Sequence, residues 1–195
     1  LVKVAVSSIV ALFGTWQIAA NGIAQSIWSM AALCGLTMSP VFITVIGQCM
    51  GAGDPAEAEY YFKKLTKITI AISVIWNGLI LAATPVLMRF YALEAPTKEL
   101  IFQLVLIHNL FNAVAFPFSG AVSSGLRAAG DVKYTTIVSI LSTAVGRLIL
   151  SWLFGMVFNM GVMGIAAAMC CDWTFQAILY ILRVRSGKWK YFAVV

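Results

Sequence analysis

The amino-acid sequence predicts an all-α fold, a polytopic membrane helix bundle of six transmembrane helices. Three observations lead there. The 195 residues are 62% hydrophobic and 10% charged, whereas a soluble domain carries about 25% charged residues. A chain this apolar cannot cover a soluble surface, so lipid is part of its solvent. The apolar runs are long and continuous, while strands of a membrane barrel need alternation over about ten residues. And the basic residues, taken with six alternating spans, sort almost entirely to one side.

The spans follow in order. The first runs from about Leu1 to Ile18 and ends near Asn21-Gly22. The second runs from about Ile23 to Met50, with Pro40 as a candidate bend. Gly51-Ala52-Gly53-Asp54-Pro55-Ala56-Glu57 then reads as a stop and a start. Glycine ends one helix in the left-handed conformation, Asp54 N-caps the next, Pro55 fits its first position and Glu57 completes a capping box. Glu59, Tyr60, Tyr61, Phe62, Lys63, Lys64 and Lys67 predict a short amphipathic helix at the membrane surface. The third span covers about Thr66 to Met88, the fourth about Thr97 to Leu126 with an interruption at Pro117, the fifth about Tyr134 to Phe158 and the sixth about Gly161 to Leu182. Ala128-Ala129-Gly130-Asp131 echoes Gly51-Ala52-Gly53-Asp54, a weak internal repeat. Neither stretch has the strand or the Lys-Ser/Thr of a phosphate-binding loop.

The net charge is +6, and its placement argues against nucleic acid. Lys3, Lys63, Lys64, Lys67, Arg127, Lys133, Arg183, Arg185, Lys188 and Lys190 fall on one side of the spans, and Arg89 and Lys98 on the other. The positive-inside rule makes the first group, with the carboxy terminus, cytoplasmic. The chain opens at Leu1 within an apolar run and shows no basic region with a cleavage site. The expectation is a piece of a longer polypeptide without a signal peptide.

Two charges lie within spans, and isolated charges there are costly. Arg147 and Asp172 are equidistant from the turn at Asn159-Met160. At 1.5 Å per residue both lie roughly 17 Å below it, so an intramembrane ion pair is geometrically natural. Such a pair either fixes the helix hairpin or couples transport to a proton or cation. The fourth span carries His108, Asn109 and Asn112, with His108 and Asn112 on one face. They are either satisfied helix contacts or a polar stripe towards a central cavity, joined there by Gln25 and Ser29 of the second span. Cys34, Cys49, Cys170 and Cys171 form no Cys-x-x-Cys and read as small packing residues. No metal site and no cofactor are expected beyond a coupling Na+ or H+. The chain holds no His-Glu-x-x-His, no serine nucleophile motif with a partner histidine and no aspartate cluster, so an enzyme is disfavoured.

The run Ile46-Gly47-Gln48-Cys49-Met50-Gly51-Ala52-Gly53-Asp54 resembles the Gly-Gln-x-x-Gly-Ala-Gly stretch of multidrug and toxic compound extrusion (MATE) transporters. Gly125-Leu126-Arg127-Ala128-Ala129-Gly130-Asp131, the last span from Gly161 through Asp172-Trp173, the basic tail and the position of Arg147 are similar to that family too. The resemblance implies a twelve-helix protein of two six-helix lobes around a central cavity. Residues 1–195 match the carboxy-terminal lobe, its first helix clipped, with the amino-terminal lobe of the same polypeptide as partner. It further implies an antiporter of the plasma membrane that exports lipophilic cationic drugs or metabolites in exchange for Na+ or H+. Acidic residues that some members carry in the first and fourth helices of this lobe are missing, which puts a carboxylate cation site here in doubt. The competing readings are a lipid-linked oligosaccharide flippase, disfavoured because Arg147 is the sole intramembrane cation, and a structural membrane subunit.

Overall fold

The structure, a computed structural model, describes residues 2–91 and 94–192. Helix α1 (Val2–Val10) leads through a turn into α2 (Thr15–Ala31) and α3 (Leu33–Gly51). Helices α2 and α3 continue one another as a single apolar unit, Thr15–Gly51. Helix α4 (Pro55–Leu87) closes in the 3-10 turn Met88–Phe90. Helix α5 (Ala95–Val114) continues through the π-helical segment Phe118–Val122 into α6 (Ser123–Ala128), with a bend of 45°. Pro117, which lacks an N–H and crowds the preceding turn, accounts for the bend. Helices α7 (Val132–Ser142) and α8 (Leu150–Trp152) alternate with π-helical segments Thr143–Ile149 and Leu153–Val157. Helix α9 (Gly161–Ser186) and the 3-10 turn Lys188–Tyr191 complete the described chain.

Four of these units are long and apolar enough to cross a membrane, and the bent pair is a fifth. Helix α1 is the remaining unit of the six-helix plan; its nine residues rise about 13 Å, short of a span. Two boundaries differ from the sequence reading. The first break lies at 11–14, before α2 opens at Thr15, and Asn21 and Gly22 sit inside α2. Both sides of the break are equally apolar, so hydropathy does not mark it. Second, the amphipathic stretch and the third span are one continuous helix, α4, because nothing between Lys64 and Thr66 breaks it. Helix α3 also runs through Pro40; the interruption falls at Ala32 instead.

The echoed turns are the same structure. Gly53 (φ 75°) and Gly130 (φ 89°) occupy the left-handed region. Asp54 N–H donates to the Cys49 carbonyl and Gly53 N–H to that of Met50; Asp131 and Gly130 repeat this onto Leu126 and Arg127. Both are Schellman motifs, which absorb the carbonyls left over at a helix end. Asp54 then caps α4, accepting from the amides of Ala56 and Glu57. Its own N–H is already used by Cys49, so Glu57 does not close a capping box.

Polarity is arranged for lipid. On α4 the buried stripe is Thr69, Ser73, Asn77, Ile80 and Thr84, while Ile72, Ile75, Leu79 and Val86 face outward. Buried hydroxyls return to their own helix, Thr69 to the Leu65 carbonyl and Thr84 to that of Ile80. Small and polar residues therefore mediate helix contact, and large apolar ones meet the membrane. Helix α9 is central: 56% of its apolar window is enclosed, against 22–28% in the other long units.

Candidate functional site: an intramembrane ion pair beside a polar cavity

Arg147 lies in the π-helical segment after α7, and Asp172 lies in α9. The turn joining the two units is tight because Asn159 (φ 53°) and Gly161 (φ 59°) both take left-handed conformations. At Gly146 a Cβ would stand 2.9 Å from Asp172 Cβ and 3.1 Å from its Cα. Absence of a side chain there lets the two units touch. Arg147 Nε donates to Asp172 Oδ2 at 2.7 Å. The Ser142 hydroxyl reaches Asp172 Oδ1, and Gln176 Nε2, one turn along α9, donates to the same oxygen at 2.8 Å. The Asp172 side chain is wholly enclosed, whereas Arg147 remains 24% exposed.

That exposed part of Arg147 opens into a cavity of about 230 Å³. Ser7, Asn21 and Gln25 supply its other polar groups, and Trp28, Ile165 and Met169 part of its apolar wall. Gln25 Nε2 approaches Met169 Sδ at 3.8 Å. Three elements, α1, α2 and the π-helical segment after α7, thus bring hydrogen-bonding side chains and one cation to a membrane-embedded recess, and α9 supplies part of its apolar wall. Such a recess can hold a small polar group of a ligand, or water, against an apolar wall.

The other sequence candidates lie elsewhere. Ser29 is exposed on α2 and donates to the Ser26 carbonyl at 2.7 Å. His108, Asn109 and Asn112 do not face an open cavity: they are 1%, 3% and 1% exposed, inside helix contacts. Asn112 Nδ2 donates to Asn77 Oδ1 at 3.0 Å, and Asn77 Nδ2 to the Ser73 carbonyl at 2.8 Å, a polar ladder between α4 and α5. The face that His108 and Asn112 share through their four-residue spacing is the face that packs. Among the described residues the His108 ring nitrogens meet only the Leu104 backbone, one turn back on α5, and the Asn109 side-chain amide has no partner. His108 sits 6.1 Å from the Trp173 ring, which stacks on Trp28 at 5.5 Å.

A second ion pair escaped the sequence reading. Arg183 Nε and Nη2 donate to Asp131 Oδ2 and Oδ1 at 2.5 and 3.1 Å, a bidentate contact with Asp131 2% exposed. The guanidinium lies 4.5 Å from the Tyr134 ring centroid. Asp131 occupies the N-cap position of α7 but makes no side-chain cap bond; its carboxylate instead ties the turn to α9. Gln176, at four residues from Asp172, was open to recognition by helical spacing. Among the described residues no group of three or more His, Cys, Asp or Glu could hold a metal ion.

Lipid-facing helices around a central helix, with a charged pair and a polar recess at mid-depth, define a polytopic α-helical membrane protein. The MatE family model matches residues 1–153, and the chain belongs to that family of membrane transporters. The "Uncharacterized transporter YisQ" of Bacillus subtilis (strain 168) is 26% identical over 196 residues, covering 97% of this chain and 41% of that protein. The "Probable multidrug resistance protein NorM" of Listeria innocua is 26% identical over 197 residues, covering 95% of this chain and 40% of that protein. The chain thus spans about two fifths of the length of each relative. No solved structure gives a significant match.

Proposed function

We propose that residues 1–195 form the carboxy-terminal six-helix lobe of a twelve-helix secondary antiporter, which exports lipophilic cationic drugs or metabolites in exchange for Na+ or H+. The observation that carries this reading is the recess of Arg147, Asn21 and Gln25 within a bundle of the MatE family. The share of the relatives covered, 41% and 40%, supports a second lobe of comparable size. The Listeria relative's name supports the substrate class. Partners are then the amino-terminal lobe, the bilayer of the plasma membrane and a small-molecule substrate, with the basic carboxy terminus in the cytoplasm.

Asp172 has its oxygens occupied by Ser142, Arg147 and Gln176. We therefore assign the coupling cation to carboxylates of the other lobe and the polar recess to the substrate pathway. The test is ethidium efflux from energised vesicles that carry the complete polypeptide. Efflux should collapse when the Na+ or proton gradient is dissipated, and residues 1–195 alone should support none. Ethidium export by the isolated lobe would overturn the half-transporter reading.

A further inference from the structure

At the basic end of the bundle, a groove of about 400 Å³ runs between α4, the π-helical segment after Pro117 and the last turns of α9. Its apolar wall is Phe62, Phe118, Val122, Ile181 and Val184, and its cationic rim is Lys63, Lys67 and Arg185. Most nearby cations are already engaged. Lys63 and Lys190 pair with Glu59, which also borders the groove, Arg183 pairs with Asp131, and Lys64 lies over the Tyr60 ring. Lys67 and Arg185 have no ion pair or hydrogen bond among the described residues. Both converge on this one groove.

Their depth is informative. Ile68–Leu87 of α4 carries no charged residue, and its 20 residues match the roughly 30 Å of a bilayer's hydrocarbon core. Lys67 therefore stands where hydrocarbon meets headgroups, and Arg185, in the last turn of α9, stands at the same boundary. We propose that the groove is a binding site for an anionic phospholipid. The lipid phosphate sits between Lys67 and Arg185, and an acyl chain lies along Phe118, Val122 and Ile181. Two uncompensated cations at headgroup depth above an apolar channel match a charged headgroup on a hydrocarbon tail. Neither a soluble anion nor a neutral lipid matches both features.

The experiment is native mass spectrometry of the protein as encoded, with whatever chain flanks residues 1–195, released from detergent with phosphatidylglycerol or phosphatidylethanolamine. Phosphatidylglycerol should be retained preferentially. Lys67→Gln with Arg185→Gln should weaken its retention about thirtyfold, the equivalent of two surface cations at roughly 1 kcal/mol each. Lys188→Gln, outside the groove, should leave retention unchanged. Melting temperatures of the lipid-free proteins should coincide, showing that the double variant is folded. Equal retention by the folded double variant and the wild type would overturn the proposal. So would displacement of the lipid by inorganic phosphate, which would mark a free-anion site. A maleimide that fails to reach Lys67→Cys after delipidation would place protein over the groove and overturn it too.

Discussion

Asp172 is served from three directions, by Ser142 from α7, by Arg147 from the π-helical segment and by Gln176 from its own helix. The carboxylate is enclosed and the guanidinium is partly open to the recess, so the two partners differ in what happens when one is removed. Breaking a buried pair typically costs about 3–5 kcal/mol, because the survivor is left uncompensated. Arg147→Leu strands the enclosed charge and should lower the folded yield strongly. Asp172→Asn leaves a cation that water can reach from the cavity side and should cost less. The double variant should recover much of the loss, and a double-mutant cycle on melting temperature measures the coupling. Recovery of folding without recovery of transport would show that the pair acts in transport. Strictly additive losses would show that the contact contributes nothing.

Contact between the last two spans depends on glycine. A Cβ at Gly164 would lie 2.5 Å from the backbone carbon of Phe154 and 2.7 Å from the nitrogen of Gly155. Backbone cannot rotate out of the way as a side chain can, so α9 would have to move. Gly164→Ala should destabilise by at least the roughly 1–3 kcal/mol seen for overpacking, read as a fall in melting temperature in detergent. Gly78, in the middle of α4, has nothing within 4 Å of its Cβ position. Gly78→Ala should be neutral or stabilising by up to about 1 kcal/mol, from helix propensity alone. Similar losses at both positions would mean that close packing between these helices does not set stability. The element also explains its own turns: Gly53 and Gly130 hold left-handed φ values, so residues with a Cβ are strained there.

For the molecule as a whole, alternating helices carry Lys63, Lys133, Arg183 and Lys190 to one end of the bundle, where Glu59 and Asp131 tie the tail and the turns together. A hydrocarbon core excludes these charges, so that end stays in water or among headgroups. The positive-inside rule predicts that this end is cytoplasmic. With the four native cysteines replaced by serine, a membrane-impermeant maleimide applied from outside should label Ala95→Cys and miss Ala56→Cys. The reverse pattern would invert the orientation of the lobe.

What the sequence by itself determined is set by the solvent. Composition required lipid, uninterrupted apolar runs required helices, and the Gly-Asp repeats located two turns to the residue. These are local properties, and nearest neighbours along the chain carry them. Equal spacing from the Asn159-Met160 turn put Arg147 and Asp172 at one depth, since rise per residue is fixed by the helix. Tertiary structure alone decided the rest. The break at 11–14, before Thr15, has apolar residues on both sides and leaves no hydropathy signal. Asp131 has the side chain of a cap and becomes half of an ion pair, because Arg183, 52 residues on, arrives in three dimensions. His108, Asn109 and Asn112 share a polar character that sequence cannot distinguish from a cavity lining. In a membrane bundle the same residues that would line a polar passage also join helices, since lipid rejects both. For Asn112 the neighbouring helix decides: its amide donates to Asn77 of α4, which in turn donates to the Ser73 carbonyl.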